Sequence, residues 1–225
     1  MYTGNGEGLA LALTQGDPSG IGPDITLAAW TRRTRATTPF AVFGAPAHYR
    51  QRAGRHGLIV PIIEVKASEA ACHFPQALPV CPTGHRVQGQ AGHPTPADAP
   101  ATLAAIEQAV IAVRQGTAAA VVTNPIAKSV LYGSGFAHPG HTEWLGELAL
   151  KHWGCATKPV MMLWSEALAV VPVTIHIPVA TVPARLTRDL IVSTAQTVDL
   201  ALRTGFGVAA PPDGTRQPRA ASSGR

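Results

Sequence analysis

Short apolar runs, each followed by a glycine-rich or polar loop, give the first prediction about this chain. Leu9 to Leu13 is apolar and ends in Thr14, which is typical of a buried strand. The loop at residues 15–22 follows, with three glycines, and Pro23 and Asp24 then suit the first turn of a helix. The pattern predicts a strand, a glycine loop and a helix.

The middle of the chain repeats this alternation. Phe40 to Phe43 predicts a strand, and residues 67–97 read as loops with short strands. A helix is then indicated by apolar residues at helical spacing, and a strand at Ala118 to Val122 leads into a short helix that carries Lys128. The residues at helical spacing are Leu103, Ile106, Val110 and Val113.

The last third predicts a hairpin and two helices. Thr142 is expected to cap a helix that extends through Leu150. Residues 160–164 and 168–173 predict two strands, and residues 188–203 predict a helix. Residues 210–225 contain almost no large apolar side chain, so we expect them to be disordered.

The composition indicates a globular α/β protein without a membrane-spanning segment. The chain has 225 residues, of which 46% are hydrophobic and 14% are charged, enough for one α/β domain and part of a second. No apolar run reaches membrane-spanning length, and no secretory signal opens the chain. We therefore expect a cytoplasmic protein without a membrane partner.

The net charge of +5 does not by itself indicate nucleic-acid binding. The arginines are scattered, and the cluster of Arg32, Arg33 and Arg35 has no interleaved aromatic residues. Solvated surface charge explains them better than a basic groove. We expect no nucleic-acid partner.

The three cysteines form no CxxC pair, and their odd number argues against a disulfide framework. Zinc ligation by two cysteines and two histidines is conceivable, but the cysteine spacing fits no usual zinc knuckle. Those four residues are Cys72, His73, Cys81 and His85. Reduced thiols are the simpler interpretation.

Four features could carry chemistry. The glycine loop could hold an anion through backbone N–H groups, although a tight turn explains it equally well. His141 and Thr142, at a predicted helix start, could bind an anionic or hydroxylated ligand, and a capping Thr beside an exposed His is the simpler alternative. Lys128 could bind phosphate as a point charge or lie on the surface.

His176 is the fourth feature. The sequence places it at the carboxyl end of a strand, where open α/β sheets form their sites, and imidazole is a common metal ligand. One histidine cannot form a metal site, and no further ligand lies beside it at a suitable spacing. A structural histidine is the simpler interpretation of the residues alone.

Four ordered motifs occupy residues 14–24 (TQGDPSGIGPD), 123–128 (TNPIAK), 140–143 (GHTE) and 174–178 (TIHIP). Together they resemble the 4-hydroxythreonine-4-phosphate dehydrogenases of pyridoxine 5′-phosphate synthesis. The resemblance extends from about Leu9 to about Ala209. It implies a layered αβα fold like that of isocitrate and isopropylmalate dehydrogenases, incomplete at the C-terminus.

The resemblance also implies a reaction. NAD or NADP would oxidise 4-phosphooxy-L-threonine to 2-amino-3-oxo-4-phosphobutanoate, which loses carbon dioxide to give 3-amino-2-oxopropyl phosphate. His141 and Thr142 match substrate-binding residues, and His176 matches a ligand of a divalent metal (Zn, Mg or Co). The resemblance identifies no cofactor-binding residue. It further implies a homodimer.

The family pattern continues with two more metal-ligand histidines and with a lysine, an asparagine and an arginine that bind substrate, and these have no counterpart here. At the corresponding position this chain reads Ala210-Pro211-Pro212-Asp213-Gly214. We therefore expect weak metal binding and no turnover by the chain as it stands.

The resemblance also divides the chain. We expect residues 1–132 to form part of a first α/β domain and residues 133–209 part of a second. Three alternatives stay open: a 4-phospho-threonate or erythronate dehydrogenase, a phosphate acyltransferase of similar fold, and a non-catalytic fragment that pairs with an intact subunit. The histidines at positions 141 and 176 count against the acyltransferase.

Overall fold

The computed structural model describes residues 8–138, 140–154 and 159–208. Its contacts divide the chain into two compact units, Met1–Ala156 and Thr157–Arg225. The tail expected to be disordered, residues 210–225, lies outside the described residues. Each unit is described by itself.

The first unit contains a five-stranded parallel sheet in the order β3-β4-β2-β1-β5. Its central strands consist almost wholly of buried apolar residues, as expected for a parallel sheet covered on both faces. The strands are β1 Leu11–Thr14, β2 Phe40–Gly44, β3 Ile62–Glu64, β4 Leu78–Pro82 and β5 Val121–Val122.

Among the described residues, six α-helices belong to the first unit. They are α1 Gly22–Thr31, α2 Pro46–Arg55, α3 Ala70–His73, α4 Ala99–Arg114, α5 Lys128–Gly133 and α6 His141–Trp153. The predicted strand–glycine loop–helix opening is confirmed as β1, residues 15–21 and α1. The helix predicted from apolar spacing is α4, and the short helix with Lys128 is α5.

Neighbouring residues of one strand enter different cores, which shows that helices cover both faces of the sheet. Ala12 packs in a cluster with Ala105 and Ala109 of α4. The next residue, Leu13, packs with Leu27 of α1 and Tyr49 of α2. Side chains alternate across a strand, so the two clusters lie on opposite faces. The expected layered αβα arrangement is confirmed.

The described part of the second unit contains a short antiparallel hairpin and two α-helices. β6 Leu163–Trp164 pairs with β7 Ala169–Val170, and α7 Val182–Arg185 precedes α8 Arg188–Thr204. The hairpin and the final helix were predicted, although both strands are shorter than the sequence indicated. The Thr187 hydroxyl accepts a hydrogen bond from the backbone of Leu190 at 3.2 Å and caps α8.

Two sequence predictions need adjustment. α6 begins at His141, with Gly140 in extended conformation as its N-cap, so Thr142 lies inside the first turn and does not cap the helix. The strand expected from Ala118 is reduced to Val121–Val122. The contact division falls at Ala156, after α6, and the domain boundary that the family resemblance implies at residue 132 stays a prediction.

Within the described ranges, no helix combines the length and the apolar character needed to cross a bilayer.

The glycine loop approaches the loop after β5 so closely that a side chain would not fit. Gly16 has a φ of +71°, and a Cβ added there would lie 2.5 Å from the Pro125 carbonyl oxygen and 2.7 Å from the Asn124 Cβ. Gly57 has a similar φ of +62°, but a Cβ there would meet nothing within 4 Å. A substitution at Gly57 therefore introduces backbone strain alone, whereas one at Gly16 introduces both backbone strain and a steric clash.

We expect Gly16→Ala to destabilise the protein far more than Gly57→Ala. Both substitutions place alanine in a left-handed conformation, which costs about 1–2 kcal/mol. Only Gly16→Ala also forces two backbone segments apart, so its total cost should reach about 3 kcal/mol or more. Urea unfolding of both variants measures the difference, and equal losses in the free energy of unfolding would contradict the close approach.

Candidate substrate-binding site

The loops after β1 and β5 meet at the carboxyl edge of the sheet. β1 lies between β2 and β5, so the chain leaves β1 and β5 at neighbouring positions, where open α/β sheets commonly bind ligands. The backbone N–H of Asp17 donates to the Pro125 carbonyl at 2.8 Å. This edge brings the first two sequence motifs together.

Asn124 fixes the loop after β5. Its side-chain amide donates to the Thr14 carbonyl and to the Thr26 hydroxyl, each at 2.9 Å. Its backbone N–H donates to the Thr14 hydroxyl at 3.2 Å, and its side chain is buried. Asn124 lies in the TNPIAK motif, and the motif alone indicated no role for it. Its burial and its partners in β1 and α1 could not be predicted from the local pattern.

Lys128 begins α5 directly after this loop and extends towards the start of α6. A Cβ added at Gly140 would lie 3.7 Å from the Lys128 Nζ. Lys128 is exposed, whereas Leu131 on the same helix is buried and anchors α5. The structure therefore brings Lys128 close to the Gly-His-Thr-Glu motif.

The N-terminus of α6 supplies the other half of the site. No side chain of the described residues caps this helix, and its first backbone N–H groups, including those of His141 and Thr142, lack partners within the helix. The His141 Nε2 is buried and has no hydrogen-bond partner among the described residues. Thr142 is half-buried beside it. These groups can bind an anion and an adjacent hydroxyl.

Glu143 opposes an anion at this place. Its Oε2 would lie 3.5 Å from a Cβ added at Gly140, close to the Lys128 ammonium. A carboxylate in the first turn stabilises the helix, and it also limits how much negative charge the site accepts. Lys128 and the backbone donors must therefore outweigh Glu143.

Burial, followed by the positive charge of Lys128, lowers the pKa of His141 below its ordinary value of 6.5. The imidazole is consequently neutral near pH 7. The cationic role falls to Lys128, while His141 offers a hydrogen bond.

Helix α6 is anchored to α4, which holds His141 in place. Leu148 is fully buried against Ile106 and Val110. The Lys151 Nζ also lies 2.5 Å from the Glu107 Oε1. A two-sided anchor of this kind fixes the direction of the helix and of its N-terminal N–H groups.

His176 does not lie at the end of a strand, contrary to the sequence prediction. β7 ends at Val170, and His176 occupies a bend with a φ of +57° and an exposed side chain. It belongs to the second unit, whereas His141 and Thr142 belong to the first. The sequence predicted a strand that reaches residue 173, but β7 ends at Val170, so residues 171–178 do not pair in a sheet.

The described residues do not by themselves complete the metal site that the resemblance implies. Nowhere in residues 8–138, 140–154 and 159–208 do three His, Cys, Asp or Glu side chains come together. Cys81 is buried in β4, where burial raises the pKa of its thiol to about 11. We therefore derive no chemical step through a metal.

Replacing Lys128 should raise the pKa of His141. In Lys128→Gln the nearby positive charge disappears, and only burial still opposes protonation, so the pKa should rise but stay below 6.5. Histidine titration by NMR measures it, and Lys66→Gln is the matched control. An unchanged His141 pKa in Lys128→Gln would contradict the proximity of the two side chains.

The same depressed pKa has a consequence for stability. The unfolded chain takes up a proton on His141 below pH 6.5, whereas the folded chain resists it. The contribution of neutral His141 to the free energy of unfolding is therefore complete above pH 6.5. It declines as the pH falls towards the pKa of His141 in the folded chain.

Comparisons with known proteins agree on one family. Residues 35–212 match the family described as pyridoxal phosphate biosynthetic protein PdxA. A 4-hydroxythreonine-4-phosphate dehydrogenase of Bradyrhizobium diazoefficiens is 52% identical over 210 residues, covering 89% of this chain and 61% of the relative. One of Methylorubrum extorquens is also 52% identical and is covered to 58%.

Solved structures of 4-hydroxythreonine-4-phosphate dehydrogenases share the fold of this chain. The 4-hydroxythreonine-4-phosphate dehydrogenase of Klebsiella pneumoniae superposes with a TM-score of 0.74 at 25% identity, over 89% of this chain and 60% of that one. The enzyme of Burkholderia phymatum gives a TM-score of 0.76 at 22% identity, over 90% and 60%. This chain spans about 60% of the length of these proteins. It belongs to the PdxA family of pyridoxal phosphate biosynthetic proteins.

Proposed function

We propose that this chain carries a substrate-binding part of a 4-hydroxythreonine-4-phosphate dehydrogenase. The reaction is the NAD(P)-dependent oxidation of 4-phosphooxy-L-threonine to 2-amino-3-oxo-4-phosphobutanoate, which decarboxylates to 3-amino-2-oxopropyl phosphate. The observation that carries the proposal is the Lys128 ammonium beside the N-terminus of α6, where a buried His141 nitrogen lacks a partner among the described residues. The names of the relatives support the substrate.

The site suits a substrate with both a phosphate and a hydroxyl group. Lys128 supplies a positive charge for the phosphate, and the N–H groups of the first turn supply directed donors. A neutral His141 can hydrogen-bond the hydroxyl, and Thr142 lies beside it to contribute a second polar contact. These residues bind and orient the substrate.

A nicotinamide dinucleotide, when bound, accepts the hydride that leaves C3 of the substrate. We propose His176 as one ligand of a divalent metal. The described residues place no group of further His, Cys, Asp or Glu side chains around it. The homodimer and the cytoplasmic location are likewise proposals that rest on family membership.

Substrate binding should depend on the phosphate and on Lys128. We expect the chain to bind 4-phosphooxy-L-threonine more tightly than L-threonine, because only the first offers a phosphate to Lys128. Lys128→Gln should weaken binding about tenfold or more, the usual effect of losing a charge-assisted hydrogen bond. Isothermal titration calorimetry measures both affinities.

Lys66→Gln is the control for a general loss of positive charge and should bind as the unaltered chain does. 4-Phospho-threonate, titrated in parallel, distinguishes the threonate dehydrogenases. Equal affinities for 4-phosphooxy-L-threonine and L-threonine would refute the proposed site, and tighter binding of the threonate would refute the proposed substrate. NADH absorbance measures the oxidation itself, for which we expect no turnover by the chain as it stands.

A further inference from the structure

The segment between α5 and α6 joins the two helices that carry the candidate site. α5 begins at Lys128 and α6 begins at His141, so the contacts of this segment influence the distance between the two residues. The first part of the segment is attached to α5, because the backbone N–H of Phe136 donates to the Leu131 carbonyl at 3.1 Å. The contacts of its last part with α6 complete the connection.

The ring of His138 provides the contact with α6. Its centroid lies 5.0 Å from that of Trp144 on α6 and 5.0 Å from that of Phe136 on its own segment. The Phe136 and Trp144 rings also meet, with centroids 5.6 Å apart and planes at 76°. Favourable aromatic pairs have centroids about 4.5–7 Å apart. The three rings therefore form one aromatic cluster that spans the segment and the helix.

Trp144 joins this aromatic cluster to the core of the first unit. It packs against the buried side chains of Ile106, Val110 and Leu148, which anchor α6 to α4. Trp144 also follows His141 by three positions on α6, so the two side chains are neighbours on the helix surface. The ring of His138 is thus held on the face of α6 that carries His141.

The ion pair of His138 should contribute less than its ring. The His138 Nε2 lies 3.0 Å from the Glu147 Oε2, but the Glu147 side chain is 54% exposed. Ion pairs that water reaches contribute little, and this pair is charged on both sides only when the imidazole is protonated. The His138 side chain is 23% exposed, so its ring contacts are largely shielded from water. Packing should therefore hold the segment more firmly than charge does.

We propose that His138 is a positioning residue of the substrate site. Its ring holds residues 134–138 against α6, and this keeps the Lys128 ammonium beside the helix N-terminus that carries His141. The consequence for substrate binding rests on the proposed function. The proximity of Lys128 to His141 is a property of the chain alone and can be measured without substrate.

The test is a double-mutant cycle on the pKa of His141. The positive charge of Lys128 lowers that pKa, so the rise that Lys128→Gln causes reports how close the two side chains are. His138→Ala removes the ring, and in this background Lys128→Gln should raise the His141 pKa by less than about half as much, because the interaction weakens with distance. NMR titration of His141 measures both rises.

Three further variants separate the ring from the charge and from general effects on α6. His138→Phe keeps an aromatic ring, and Glu147→Gln removes the ion pair, so Lys128→Gln should cause its full rise in both backgrounds. His152→Ala is the matched control, because the His152 side chain is 20% exposed and lies 3.7 Å from Glu107 at the other end of α6. It should also leave the rise unchanged. Circular dichroism verifies that each variant is folded.

A full rise in folded His138→Ala would overturn the proposal, and so would a reduced rise in His138→Phe. If His138→Ala fails to fold, His138→Gln removes the ring with a smaller loss of volume and replaces it in the cycle.

The affinity for 4-phosphooxy-L-threonine is measured separately by calorimetry, and His138→Ala should weaken it about fivefold. A reduced rise in His138→Ala, with no substrate binding by the unaltered chain, would refute only the proposed function. A full rise together with an unweakened affinity would refute only the positioning role.

Discussion

The side chain of Asn124 joins three segments, and the candidate site depends on that link. Its amide has partners in β1 and α1, and it is buried, so breaking these bonds would leave polar groups without water. These bonds therefore fix the positions of the loops after β1 and β5 relative to each other. Gly16 makes that arrangement possible, because any side chain there would collide with Pro125 and Asn124.

From this fixed loop the chain places two different kinds of group at one site. Lys128 follows the loop directly and carries the positive charge, while His141 arrives on α6, which is anchored separately against α4. The nearby charge and burial keep His141 neutral. Lys128 thus supplies electrostatic attraction and His141 supplies hydrogen bonding. A phosphorylated alcohol presents a phosphate for the first and a hydroxyl for the second.

Local pattern was enough to predict the opening strand, glycine loop and helix, and also α4 and α8, because each depends on apolar spacing and on residues at its ends. It was not enough for α6, where Gly140 takes the extended capping position and Thr142 falls within the helix. It also missed the contacts of Asn124, whose partner Thr14 lies 110 residues away.

Hydrogen exchange with and without 4-phosphooxy-L-threonine tests the central claim most directly. The claim is that the loop fixed by Asn124 and the N-terminus of α6 together bind a phosphorylated substrate. We expect slower exchange on binding at residues 124–131 and 140–145, and no change in α2. Slower exchange confined to other segments, or none at saturating substrate, would contradict the account.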